Sequence, residues 1–442
     1  MSIQVLYDMN GKMCSCGKVH TLPVKDILVG SGVVNRIPEL VKQYGGTKVF
    51  VLSDVNTHPI AGEKVCNLLK ENGIAYTSYV LQDKHVEPSE KAVGSVMMHY
   101  DYACDLIITA GSGVLNDISK ILSCLSKNPY FIVGTAPSMD GYASGSSSME
   151  RDGLKLSLNT RCADVVIGDI DILATAPAHM LKAGLGDMIA KYTSICEWRM
   201  AQILVGEYYC EEIAELVRVA VKRCVDNADG LLKRDPVAIE AVFEGLVLTG
   251  VAMAYAGVSR PASGVEHYFS HCWDMRATSF GTKYDLHGIQ CGVGTWYAVN
   301  LYEKLRAITP DKQKALAFAK SFDLAAWHEK LHAFLGEGAL AMIELEKKEG
   351  KYDVEKHAAR LDLILDHWNE LLAIMEAELP TVDALAKLLD TIEAPKTLQE
   401  MDMDASVLPM TFCATKDIRD KYVLSRLCWD LGILDEFAES LQ

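Results

Sequence analysis

Over residues 26–174 the chain alternates short apolar runs with segments whose apolar residues recur at helical spacing. DILVGSG, KVFVLSD, AYTSYVL, DLIITAGSG, YFIVGTAPS and DVVIGDI read as strands. VVNRIPELVKQYGG, residues 61–72, residues 89–100 and VLNDISKILSCL read as the helices between them. Strands joined by helices run parallel, and a parallel sheet has to be covered on both faces. The expectation is therefore an α/β domain with a parallel sheet. After Ala178 nearly every segment reads as helix, among them AHMLKAGLGDMIAKYTSICEWRMA, PVAIEAVFEGLVLTGVAMAYAG and the amphipathic stretches of residues 315–389. A chain of 442 residues suits two domains. The predicted division is an N-terminal extension 1–23, an α/β domain 24–176 and an all-α domain 177–442, with the linker at residues 175–177.

Net charge of −16 argues against nucleic acid and anionic membrane surfaces, which attract basic patches. A small phosphorylated substrate stays compatible, because backbone N–H groups or a local cation suffice for it. The thirteen cysteines are scattered and mostly have apolar neighbours. With no recognisable secretory signal at the start and no uncharged apolar run of membrane-spanning length, a reducing cytoplasm is expected. Cys14, Cys16 and His20 form a short CxC…H cluster. It lacks the second CxxC half that marks a zinc site, so a hairpin carrying two thiols is the ordinary reading.

Two glycine turns follow predicted strands. Gly30-Ser31-Gly32, with Asp54 22 residues beyond Gly32, partly matches a dinucleotide fingerprint, but its third glycine position is Asn35. Gly111-Ser112-Gly113 closes a strongly apolar strand and opens a helix, where N–H groups and the helix dipole suit a pyrophosphate. A polar loop expected over residues 134–148 follows the next strand, at the sheet edge where α/β ligand clefts form. Asp140 is its one acid–base group.

His267, His271 and His287 lie within 21 positions of one another in a chain with twelve histidines. His267 and His271 are four apart, on one face of a helix. Neutral imidazole is a common metal ligand, so the cluster points to a metal site. As the carboxylate partner, spacing leaves Asp187, Glu266, Asp274 and Asp285 open.

GSGVLNDISK, PSMDGYASGSSSM, GLGDMIAKYT, SGVEHYFSH and HGIQCGVGT occur in this order. Together they resemble the metal-dependent dehydrogenases that include glycerol dehydrogenase and sn-glycerol-1-phosphate dehydrogenase, relatives of 3-dehydroquinate synthase. SRPASGVEHYFSH and CEWRM resemble the sn-glycerol-1-phosphate dehydrogenase branch, and IRDKYVLSRLCWDLGIL its longer bacterial form. The resemblance runs over about residues 24–434; Glu197 in CEWRM stands where it leads one to expect aspartate.

The resemblance implies a dehydroquinate synthase-like fold, with a nucleotide-binding α/β domain followed by a helical domain. It implies Asp187, His267 and His287 as metal ligands. It places NAD(H) or NADP(H) along Gly111, Ser112, Gly113, Asn116, Asp117, Thr135, Ser138, Ser144 and Lys155. Asp54 falls near the adenosine ribose, where its charge favours NAD. Asp140 and His271 become the groups that relay a proton or hold substrate hydroxyls; Arg260, Ser259, Ser263 and Gly264 face the phosphate. The implied reaction interconverts dihydroxyacetone phosphate and sn-glycerol 1-phosphate, supplying phospholipid or ether-lipid synthesis, with one divalent metal (zinc, or else nickel or iron) and a homo-oligomeric enzyme. The alternatives are a glycerol dehydrogenase acting on unphosphorylated polyols, a dehydroquinate synthase-like lyase that regenerates its NAD, and a non-catalytic nucleotide-binding regulator.

Overall fold

The apolar runs form the expected strands. They are β1 (Asp26–Gly30), β2 (Lys48–Asp54), β3 (Ala75–Leu81), β4 (Leu106–Gly111), β5 (Tyr130–Gly134), then β6 (Ser146–Arg151), β7 (Leu154–Asn159) and β8 (Val165–Asp169). Six of them make one parallel sheet in the order β1-β8-β5-β4-β2-β3. The computed structural model describes residues 3–151 and 154–441. By packing, the chain divides into two units: Met1–Met188 with Glu215–Ser259, and Ile189–Ala214 with Arg260–Gln442.

In the first unit the central strands β4, β5 and β8 are buried along their whole length, as a sheet covered on both faces requires. β3 is the edge, which is why Thr77 and Ser78 are tolerated there. From β2 the chain moves outward to β3, then crosses back to β4 on the other side of β2 and continues to β5. β2 and β4 therefore flank the point where the winding reverses, and ligands of open α/β sheets bind beside the carboxyl ends of such strands. Asp54 ends β2 and Gly111 ends β4, each two residues beyond the paired Leu52 and Thr109.

The stretch expected to be loop up to Ser148 is partly strand. β6 pairs antiparallel with β7, and a short turn of 3-10 helix spans Asp140–Ala143. Ser147 and Met149 are buried on alternate positions. That period of two was hidden in SSSMER by serine's weak strand preference. The helix Pro236–Ala256 also belongs to this unit. Its Phe243 lies against β5 and β8, where a Cβ on Gly134 or Gly168 would come within 2.8 or 2.2 Å of the ring. By length and composition it is the one helix among the described residues that could cross a membrane, and most of it is buried.

The second unit is helical. Lys191–Val205 and Val265–Phe280 each end on a glycine in the left-handed region, Gly206 and Gly281. Val265–Phe280 packs closely on His287–Arg306: a Cβ on Gly294 would lie 2.6 Å from the Glu266 carbonyl oxygen. The two run antiparallel, so Glu266 meets Gly294 while Ser270, one turn further on, reaches Gln290 and His287. Trp198, Trp273 and Trp429 are fully buried in this unit.

Candidate active site

The two glycine turns of the first unit differ in what occupies their donors. At Gly30-Ser31-Gly32 the Asp169 carboxylate accepts from the N–H groups of Gly32 (3.3 Å) and Val34 (3.0 Å), and Asp171 accepts from the Ser31 hydroxyl at 2.6 Å. Two acids thus hold the place a phosphate would need. At Gly111 a Cβ would come within 2.5 Å of Leu115, so glycine is what lets β4 run straight into the helix Gly113–Ser126. The Asp54 carboxylate, beside it at the end of the neighbouring strand, accepts from Asn56 N (2.9 Å) and Thr57 N (2.7 Å) through one oxygen.

Several residues implied as cofactor contacts brace the following loop. Asn116 donates to the Gly141 carbonyl at 3.0 Å and accepts from the Tyr130 hydroxyl. Asp117 accepts from Ser148 N at 3.0 Å. At the centre is Lys120, fully buried. Its ammonium reaches Asp117 (3.2 Å), the carbonyls of Gly141 (2.7 Å) and Ser146 (2.8 Å) and the Ser144 hydroxyl (3.1 Å). Thr135 donates its N–H to the Gly111 carbonyl, and Thr135 and Ser138 are buried beside this turn. Lys155 lies on β7, and its side chain is outside the described residues.

The braced loop presents the Asp140 backbone N–H to Asp187, whose Oδ2 accepts it at 2.9 Å. Two glycines permit this. A Cβ on Gly184 would stand 1.8 Å from the Pro137 carbonyl oxygen, and one on Gly250 would stand 2.7 Å from that of Asp140. Asp187, on the helix Ala178–Ile189, is fully buried.

In the second unit the three predicted histidines come together. The rings of His267 and His287 are 5.0 Å apart, and those of His271 and His287 6.1 Å. His267 Nδ1 lies 2.8 Å from Glu266 Oε1, and His287 Nδ1 lies 3.1 Å from the Ser270 hydroxyl. Partners on both Nδ1 atoms leave Nε2 as the ligand atom of each ring and fix its direction. A ligand atom of Cys291, one helical turn after His287, lies within 4.8 Å of those of both rings. Gln290 ties Ser270 (3.0 Å) to Asp274 (2.8 Å). Cys291, Ser270 and Gln290 escaped sequence reading; the helical repeat H-x-x-x-C in HGIQC was the available signal.

Three of the four open carboxylates have other duties. Glu266 braces His267 and also accepts from Thr193 Oγ1 and Gly264 N; these bonds, against the penalty of burial, hold it below the usual glutamate range. Asp274 takes Gln290, and Asp285 accepts Leu286 N at 2.6 Å. Glu197, the departure in CEWRM, is buried beside Glu266, and burial first and that neighbouring charge second push it up to about 8. It accepts from Val265 N, Leu424 N and the Tyr302 hydroxyl.

Arg260 does not offer the open bidentate fork expected of it. Its Nε and Nη2 bind both oxygens of Glu207, at 2.8 and 2.6 Å. Nη1, however, is buried with no hydrogen-bond partner among the described residues, and so is the Tyr268 hydroxyl. Lys421, missed in the sequence, lies 5.8 Å from the Tyr268 ring and donates to the Ser263 carbonyl at 2.8 Å. Burial, then repulsion from Arg260 and Arg419, brings its ammonium down to about 7.

Residues 28–177 match the family described as iron-containing alcohol dehydrogenase. A glycerol-1-phosphate dehydrogenase [NAD(P)+] of Halalkalibacterium halodurans is 29% identical over 80% of this chain and 82% of its own length. That of Bacillus licheniformis is 33% identical over 66% of this chain and 74% of its own. The chain belongs to the glycerol-1-phosphate dehydrogenase family. The fold agrees with that of glycerol dehydrogenase from Schizosaccharomyces pombe, with a TM-score of 0.61 over 95% of this chain and 91% of that one at 16% identity. Within the family's frame, the imidazole pair with supported Nδ1 atoms is a donor set that fits a divalent metal with borderline-soft preferences.

Proposed function

We propose that the chain interconverts dihydroxyacetone phosphate and sn-glycerol 1-phosphate with NAD(P) and a divalent metal. Family membership supports the reaction class, and the observation that carries the site is the convergence of His267 and His287 with both Nδ1 atoms engaged. Asp187 joins them as the carboxylate ligand, as the family resemblance implies. Two neutral imidazoles and one carboxylate suit zinc, with nickel or iron as alternatives. When bound, the metal supplies Lewis-acid polarisation of an oxygen, and the nicotinamide supplies or accepts hydride.

The chain's own residues do the rest. Residues 24–176 form the proposed nucleotide-binding domain, with pyrophosphate at Gly111, Ser112 and Gly113 and the ribose near Asp54, whose charge favours NAD. Asn116, Asp117 and Ser144 act on the cofactor by holding the loop with Lys120; Thr135, Ser138 and Lys155 line its path. Residues 177–442 form the helical metal- and substrate-binding domain, and residues 1–23 an extension. Asp140 and His271 hold substrate hydroxyls and move a proton. Ser263, Lys421, Tyr268 and the remaining Nη1 of Arg260 take the phosphate. The buried Arg260 Nη1 and Tyr268 hydroxyl, beside the enclosed Lys421 ammonium, favour a phosphorylated substrate over a plain polyol. A homo-oligomer in a reducing cytoplasm completes the reading.

The test is NADH oxidation with dihydroxyacetone phosphate, followed by chiral analysis of the product. Turnover to sn-glycerol 1-phosphate, far above that with unphosphorylated dihydroxyacetone, is expected. Equal rates with the two ketones would sink the phosphate assignment, and absence of net NADH oxidation would point to a lyase instead.

A further inference from the structure

The N-terminal CxC…H cluster folds into a form that the dehydrogenase chemistry does not use. Met13 and Val19 pair as an antiparallel bridge, and Cys14 N donates to the Lys18 carbonyl at 2.9 Å. Gly17 N turns back to the Cys14 carbonyl at 3.0 Å, with Gly17 in the left-handed region at φ 83°. Gly11 N reaches the His20 carbonyl at 2.8 Å and closes the ring of chain. The tight turn swings both thiols to one side.

Ligand atoms of Cys14, Cys16 and His20 all lie within 4.8 Å of one another. Cys16 Sγ is 3.5 Å from His20 Nε2. Metal–sulfur and metal–nitrogen bonds of about 2.3 and 2.05 Å at a tetrahedral angle place S and N about 3.6 Å apart. The observed separation is thus the edge of such a tetrahedron. His20 is itself set up as a ligand: it is 2% exposed, and its Nδ1 lies 3.0 Å from the Tyr255 carbonyl oxygen. A carbonyl can only accept, so Nδ1 carries the proton and Nε2 turns its lone pair to the sulfurs. Tyr255 also donates its hydroxyl to the Leu6 carbonyl at 2.6 Å, so the last turn of the buried helix Pro236–Ala256 holds both ends of the extension.

We propose that Cys14, Cys16 and His20 hold a structural zinc ion, separate from the dehydrogenase metal, that clamps the N-terminal extension to the end of this helix. Two thiolates and an imidazole select zinc over magnesium or calcium, and binding would deprotonate both thiols.

Metal content of the full chain, read by mass spectrometry of the elements, tests this. Two metal ions per chain are expected for the wild type. A Cys14→Ser/Cys16→Ser variant should hold one, keep its turnover, and lose its first twenty or so residues readily to protease. Equal metal content in both chains, or a Cys14–Cys16 disulfide in the native protein, would overturn the proposal. Should the double variant misfold, the His267→Ala chain gives an independent reading, since it should retain only the hairpin ion. Its zinc X-ray absorption should show at least two sulfur ligands at about 2.3 Å, and a shell of nitrogen and oxygen alone would refute the site. A third sulfur also supports it.

Discussion

Asp187 Oδ2 accepts the backbone N–H of Asp140 at 2.9 Å, so the carboxylate proposed as a metal ligand is aimed by the loop that carries the proposed acid–base group. The bond explains why the motif GLGD opens on a glycine. Gly184 lets the helix approach Pro137 closely enough for the bond to form.

Two substitutions should separate chemistry from position. Asp187→Asn preserves shape but removes the charge, and kcat/KM is expected to fall by about a hundredfold or more, equivalent to about 3 kcal/mol, with loss of bound metal and little change in Tm. Gly184→Ala sets a methyl against a backbone oxygen, which cannot move aside as a side chain can. It should cost about 3 kcal/mol of stability, the upper end for overpacking. A Gly184→Ala chain with wild-type Tm and turnover would show that the close approach is not needed.

Glu266 supports His267 without belonging to the proposed ligand set. Glu266→Gln keeps the hydrogen-bonding shape yet removes the charge that strengthens the imidazole. Metal affinity should weaken by about 10- to 100-fold, the usual cost of losing such a partner, measured by competition with a chelator. Ser270→Ala should act in the same direction and more weakly, since its bond to His287 is neutral and longer. Unaltered affinity in Glu266→Gln would mean that Glu266 serves only Thr193 and Gly264.

The strands, the parallel sheet and the helical second half were legible because apolar runs of strand length and helical spacing survive in the sequence. So was the histidine cluster. Three features were not. SSSMER hid β6, since serine favours no strand. The first glycine turn partly matches a dinucleotide fingerprint, and only the fold brings Asp169 and Asp171, some 140 residues away, into its donors. Arg260 looked like a phosphate fork until Glu207 met it, while Lys421 reaches the same region from 158 residues beyond Ser263. Local spacing reports helix faces and turns; it cannot report which distant acid or base arrives from another segment.

Lys120 offers a prediction about the loop. Its ammonium satisfies two carbonyls, a hydroxyl and a carboxylate, so Lys120→Met leaves all four without that donor. Removing one member of such a buried charged network costs about 3–5 kcal/mol. Tm should drop accordingly, and KM for NAD should rise more than KM for the phosphorylated substrate, because the loop frames the proposed cofactor path. Equal effects on both would assign Lys120 to general stability alone.

Lys421 gives a signed pH dependence. Burial and the charges of Arg260 and Arg419 hold its ammonium near 7 in the ligand-free chain, far below an ordinary lysine. Below that pH the site is cationic and ready for an anion; above it the free chain has lost the proton that a phosphate group would favour. KM for dihydroxyacetone phosphate should therefore climb as pH rises past about 7, approaching tenfold per pH unit until the pKa of the complex is reached. Stability runs the other way: between 7 and the ordinary lysine range the unfolded chain binds the extra proton, so this group's contribution improves as pH rises. Lys421→Met should flatten both profiles, weaken binding at pH 6, and leave turnover of an unphosphorylated ketone unchanged. A variant whose KM still climbs as steeply as the wild type would place the titrating group elsewhere and remove Lys421 from the phosphate site.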